Sequence, residues 1–223
     1  MGNFKRTSLW TLVLTIVVSQ LALSAHGQLS VDDGVIPAKK LPKPVIKDEL
    51  VLLNVPHIKQ KDGYCVPTSC AMILRYFGHK DSPNELKKLA ENHKPIEKRN
   101  TKFTYWKDMQ VALKSKKYEW KITNYSVSKE GYEKGWGEIK EHLRKGLPVM
   151  VDVHLSSGHT FVLIGFNDDE QLVYIRDPWI PRSKARVLTY DQMQQHWHNH
   201  QYSKSRSAFF PSKHREAPEN EKS

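Results

Sequence analysis

The spacing of apolar positions changes from helical to alternating along the chain, and that change predicts the architecture. From Cys65 to Phe77 the apolar residues Val66, Cys70, Ile73, Leu74 and Phe77 recur at helical intervals. Pro67 sits in the first turn, where its missing N–H breaks no bond, and Gly78 supplies the stop. Ser82-Pro83-Asn84-Glu85 is a capping-box pattern that opens a second helix to Asn92. Further helices are predicted over Tyr105 to Ser115 and Trp136 to Lys145, the latter with Glu138/His142 and Glu141/Lys145 four residues apart. Strands are predicted at Val51 to Val55 and Trp120 to Ser126, and then at Val149 to Val153, Thr160 to Phe166 and Leu172 to Asp177. Thr189 to Trp197 fits a short helix and Ala208 to Phe210 a last edge strand. Helices first and antiparallel strands later is the order of an α+β fold rather than a doubly wound one.

The ends carry a different signal. Lys5 and Arg6, the apolar run Leu9 to Val18 and the small-residue stretch Ala25-His26-Gly27 make residues 1–27 an expected signal peptide. That run is shorter than the roughly 20 residues a spanning helix needs, so no stable membrane insertion is expected after its removal, and a secreted or periplasmic location is. Residues 28–47 mix Pro, Lys and Asp without period and read as a flexible tether or pro-segment, residues 48–212 as one domain, and 213–223 as a disordered tail.

The net charge of +11 suits a solvated lysine-rich surface, and beyond that an anionic envelope surface. No helix-turn-helix, zinc-finger or aromatic-basic pattern accompanies it, so a nucleic-acid partner is not expected.

Two cysteines in an exported chain ordinarily suggest a disulfide. On one helix, however, Cys65 and Cys70 stand roughly 8 to 9 Å apart at Cα, beyond disulfide reach. An unpaired Cys65 at the tip of an apolar helix lies where free N–H groups and the helix dipole favour a thiolate. Such a sulfur needs an imidazole to move a proton and a donor to hold an oxyanion. A hairpin symmetric about Asp168 places His159 opposite Asp177, Phe161 opposite Ile175 and Leu163 opposite Val173, so acid and imidazole share a face. A four-residue loop would slip this register by one and set them on different faces. Gln60, five residues before Cys65, is the candidate oxyanion donor. His154 is the rival base. The run His196-Trp197-His198-Asn199-His200 alternates like metal ligands, but no carboxylate or cysteine motif joins it at ligand spacing, so no metal is expected. Of the tryptophans only Trp179, beside Asp177, is a candidate for the wall of a substrate cleft.

Val55-Pro56-His57-Ile58-Lys59-Gln60 followed by Cys65-Val66-Pro67-Thr68-Ser69 and Ala71 to Gly78 resembles the nucleophile segment of the bacteriocin-processing, double-glycine-leader peptidase family. Gly158-His159-Thr160 to Phe166 is similar to that family's histidine strand, Tyr174 to Trp179 to its aspartate strand, and Thr189 to Trp197 to the short helix after it. The resemblance implies a papain-like cysteine peptidase fold, with N-terminal helices packed on an antiparallel sheet. It implies no cofactor, a peptide or protein substrate, and cleavage through an acyl-enzyme. By position it assigns Cys65 as nucleophile, His159 as base, Asp177 as orienting acid and Gln60 as oxyanion donor. Many relatives have Gly after the cysteine; Val66 here is expected to narrow the cleft and alter substrate preference. No transporter domain follows in this chain, so the double-glycine substrate class does not carry over with the chemistry. A cell-wall peptide hydrolase, and a catalytically silent binding module on the same scaffold, are the competing readings.

Overall fold

This computed structural model describes residues 34–155, 158–198 and 205–212. The expected signal peptide, the first residues of the tether and the tail from 213 lie outside the described residues.

In chain order the elements are β1 (Val35–Pro37), β2 (Val45–Ile46), β3 (Leu50–Leu52), α1 (Cys65–Tyr76), α2 (Pro83–Asn92), α3 (Trp106–Ser115), β4 (Trp120–Tyr125), α4 (Lys129–Arg144), β5 (Val149–Val153), β6 (His159–Asn167), β7 (Leu172–Arg176), β8 (Lys184–Thr189), α5 (Tyr190–His196) and β9 (Arg206–Pro211). The strands form a single antiparallel sheet in the order β1-β8-β7-β6-β5-β9-β4, with β3 also on β6 and β2 on β3. Three helices thus precede most of the sheet, as the sequence order predicts.

Five elements depart from expectation. Val35–Pro37 and Val45–Ile46, inside the stretch read as a tether, pair with β8 and β3. The strand ending at Pro211 is not an edge, because it lies between β5 and β4. β8 has no clean alternation, since it carries Lys184 and Arg186 among its apolar residues, and periodicity does not reveal it. α4 begins at Lys129, two turns before Trp136, with Ser128 as N-cap. Its early glycines hide it from propensity. They are required by packing: a Cβ at Gly135 would stand 2.7 Å from the Trp197 ring, and one at Gly131 2.2 Å from the Ser126 carbonyl oxygen.

The β6–β7 register also differs. Its loop does hold four residues, Asp168 to Gln171, but the pairs nearest it, Asn167 with Leu172 and Phe166 with Val173, are slipped by three residues from the symmetric expectation. A bulge between Leu163 and Gly165 takes one residue of that slip back, so Leu163 faces Ile175 and Val162 faces Arg176. The net slip of two is even, and the facing is kept. Continued one residue, the register sets Asp177 across from Phe161 and diagonal to His159, on the same face. The bulge is held by β3: the Leu53 N–H donates to the Ile164 carbonyl at 2.8 Å. A Cβ at Gly165 would lie 2.0 Å from the Val51 oxygen, so only glycine admits β3 that close.

Candidate functional site

Cys65 is the first residue of α1, and the turn before it is built to hold that position. Gly63 has φ +75° and admits the Lys102 carbonyl against its backbone, where a Cβ would stand 2.4 Å away. Lys102 also pairs with Asp62 at 2.8 Å. The Thr68 N–H donates to the Tyr64 carbonyl at 3.0 Å, closing the first helical turn. Both cysteines are free, as the helical spacing predicts, but they differ in setting. Cys70 is fully buried against Met150 Sδ at 3.5 Å, and burial pushes its thiol well above the ordinary range. Cys65 is only partly buried, and its interaction with His159 raises the basicity of that ring.

His159, the first residue of β6, stands between that sulfur and an acid. Its Nε2 donates to Asp177 Oδ1 at 2.7 Å, an assignment of the proton that leaves Nδ1 toward Cys65. Asp177 is 1% exposed and fully engaged: Oδ1 also accepts from the Trp179 N–H at 2.8 Å and Oδ2 from Arg186 Nε at 2.9 Å. Burial alone would lower the His159 pKa, but its hydrogen bond to Asp177 and its interaction with Cys65 raise it to about 9. Burial would raise the Asp177 carboxyl, but His159, Arg186 and the Trp179 N–H bring it down to about 2.

A third segment is laced to the acid. Three successive carbonyls accept from one short stretch: that of Asp177 from His57 Nε2 at 3.1 Å, that of Pro178 from the Gln60 N–H at 2.9 Å, and that of Trp179 from Lys59 Nζ. Just behind, Arg176 Nε donates to the Val55 carbonyl at 3.0 Å. Gln60 is thereby tied to the strand end that carries Asp177, and its side-chain oxygen is buried with no protein partner. Burial lowers the His57 pKa, which keeps the ring neutral with one N–H to give.

The Peptidase_C39 like family matches residues 52–207 of the chain. The chain belongs to that family. Among solved structures this C39-like chain is similar to a C39-like peptidase from Bacillus anthracis, with TM-score 0.55 and 19% identity over 78% of this chain and 99% of the other. It is also similar to the peptidase domain of Streptococcus ComA, at TM-score 0.52 and 18% identity over 72% and 100%. A third is a double-glycine-motif protease of an AMS/PCAT transporter solved with its leader peptide, at 0.50 and 16% over 73% and 94%. At these identities the likeness is one of fold, the papain-like cysteine peptidase fold. Comparison with curated proteins gives no significant match.

The remaining candidates of the C39-like chain fall out as follows. Val66 is 5% exposed and packs in the hydrophobic core at the second position of α1. Trp179 is 54% exposed beside Asp177. His154 follows the end of β5, where its N–H donates to the His196 carbonyl and its ring stacks on His198. Within the histidine run Trp197 is fully buried, with Nε1 donating to the Ser207 carbonyl, and His200 lies outside the described residues. Among the described residues no group of acidic, histidine and cysteine side chains has a metal-holding arrangement. None of their helices is long and apolar enough to cross a membrane.

Sequence reasoning missed Arg186, His57 and Asp152. Arg186 belongs to the strand that alternation concealed. His57 stood inside the quoted motif, and its ring next to an apolar stretch was the available signal. Asp152, on β5 one residue from the partner of His159, has its pKa raised to about 6 by burial, with His159 acting to lower it.

Proposed function

We propose that this C39-like protein is an exported cysteine peptidase that acts on peptides or a protein partner through Cys65, His159 and Asp177, with Gln60 at the oxyanion. The reading is carried by one arrangement: a partly exposed thiol at a helix start that acts on an imidazole whose Nε2 is held by a buried, charged carboxylate. The proton moves from Cys65 to His159 Nδ1, and the raised basicity of the ring favours the resulting imidazolium. The sulfur attacks the scissile carbonyl carbon, and the oxyanion is held by the Cys65 N–H and the Gln60 side-chain amide. His159 then gives its proton to the leaving amine as the C–N bond breaks, leaving a thioester on Cys65. Water, deprotonated by His159, attacks the thioester and releases the acid and the thiol. Asp177 keeps its charge throughout and fixes the ring.

The leader peptide bound to the transporter protease supports a peptide as substrate class. Residues 1–27 support export, and the net charge of +11 supports residence near an anionic envelope surface. The test is incubation of the purified protein with a defined peptide library, read by mass spectrometry. Cleavage by the wild type and none by Cys65→Ala or His159→Ala is the expected result. Intact peptides under all conditions, with a folded protein, would overturn the proposal in favour of a binding module.

A further inference from the structure

Several cations of the chain meet a carboxylate, but three basic residues beside the site do not. Arg144, Arg186, Lys87, Lys94, Lys116 and Lys140 each meet a carboxylate. Among the described residues Lys59, Arg176 and Arg182 meet none, although they converge on the strand end that carries Asp177. Lys59 donates to the Trp179 carbonyl, and its ammonium stands 5.1 Å from the centroid of the Trp179 ring. Arg176 is partly buried, with Nε on the Val55 carbonyl. Its own basicity is lowered by burial and then by the nearby charge of Arg182. Two guanidinium groups that repel each other, one of them partly desolvated, are costly without an anion. Trp179, three residues on from Arg176, is 54% exposed, yet it is pinned at both backbone ends, through its N–H to Asp177 Oδ1 and its carbonyl to Lys59. A rigid aromatic surface with an ammonium beside its ring and guanidinium groups nearby in the chain suits a flexible acidic side chain, whose carboxylate forks onto a guanidinium while its methylenes lie on the ring.

We infer that Trp179, Arg176, Arg182 and Lys59 form a subsite for a glutamate or aspartate side chain of the peptide substrate, close to the bond that is cut. This rests on the peptidase reading above and adds to it a preference for acidic residues.

Binding is measured apart from cleavage, by fluorescence anisotropy of rhodamine-labelled peptides on the Cys65→Ala protein. The peptides differ only in Glu or Gln beside a fixed central sequence, and each is drawn from those that the wild type cleaves or, if none is cleaved, from a random set. The expected result is a Glu peptide bound about tenfold more tightly than its Gln twin, the effect of one charge-assisted contact. The preference falls to near unity in Lys59→Gln/Arg182→Gln and persists in Lys134→Gln/Lys145→Gln, which removes the same charge from the α4 surface. Equal binding of the twins, or equal loss in both double variants, would overturn the subsite. So would tighter, Arg182-dependent binding of inorganic polyphosphate, which would mark the patch as a polymer surface. Cleavage without acidic preference removes this inference alone, whereas acidic preference without any cleavage removes the peptidase reading alone.

Discussion

An imidazole held between a sulfur and a carboxylate has its proton set from both sides, and that gives His159 a measurable signature. Because its pKa is raised to about 9, the imidazolium that protonates the leaving amine in the proposed mechanism persists through neutral pH and is lost above that value. We expect kcat/KM on a cleaved peptide to fall about tenfold per pH unit on the alkaline side of about 9. In Asp177→Asn the limb should move to lower pH, with a rate loss of about two powers of ten or more, read from a pH–rate profile. The same residues give stability of opposite pH sense. Asp177, depressed from 3.8 to about 2, contributes stability that is present above pH 3.8 and lost as pH falls through about 2. His159, raised from 6.5 to about 9, contributes stability that is present below pH 6.5 and lost as pH rises through about 9. Asp177→Ala removes the carboxylate facing buried Arg186 and should cost about 3 kcal/mol in urea unfolding at pH 7. Asp152 behaves in the other direction: with its pKa raised from 3.8 to about 6, the fold holds it protonated up to about pH 6 and loses stability as pH rises from 3.8 through about 6. Asp152→Asn should therefore melt higher than the wild type at pH 8 and no higher at pH 4, by calorimetry.

At the scale of elements, the site depends on register, and register is where pattern reading reaches its limit. Alternation places the strands of Val149 to Val153, of His159 and of Leu172 within a residue or so, because each has a buried face to mark it. It also puts imidazole and acid on one face, but by way of a symmetric loop, whereas the strands slip by three residues at the loop and recover one at the bulge. No periodicity encodes the bulge at Ile164, since it answers to the approach of β3, a contact more than a hundred residues away in the chain. Gly165→Ala tests this: its methyl group would strike the Val51 oxygen at 2.0 Å, at a cost of about 2 kcal/mol or more. Activity should fall further than stability explains at temperatures where the variant stays folded, because His159 and Asp177 lose their common facing. The lacing of His57, Lys59 and Gln60 to three successive carbonyls was likewise hidden, since backbone acceptors carry no sequence signature. His57→Ala should lower kcat by about tenfold with KM little changed, as expected when a catalytic geometry loosens, and His57→Gln should recover part of it.

Across the whole molecule the chemistry is divided between layers that fold for separate reasons. The apolar helix α1 brings the sulfur, the antiparallel sheet brings the imidazole and the acid, and the segment before the helix is stitched to the chain at the end of β7 by hydrogen bonds to main-chain carbonyls. The helix tip was readable because its apolar spacing and Gly78 stop are local. The α+β order was readable because three helices come before most strands. Arg186 was not, because its strand mixes charge with apolar residues, and buried charge looks like surface until its partner is known. The claim that joins these layers is that Cys65 reacts as a sulfur coupled to His159, and alkylation by iodoacetamide across pH, followed by peptide mass spectrometry, tests it most directly. Cys65 should label fast at pH values where an isolated thiol is inert, Cys70 should stay unlabelled in its buried site, and the fast reaction should vanish in His159→Ala. Equal and slow labelling of both cysteines, unchanged by loss of the imidazole, would contradict the account.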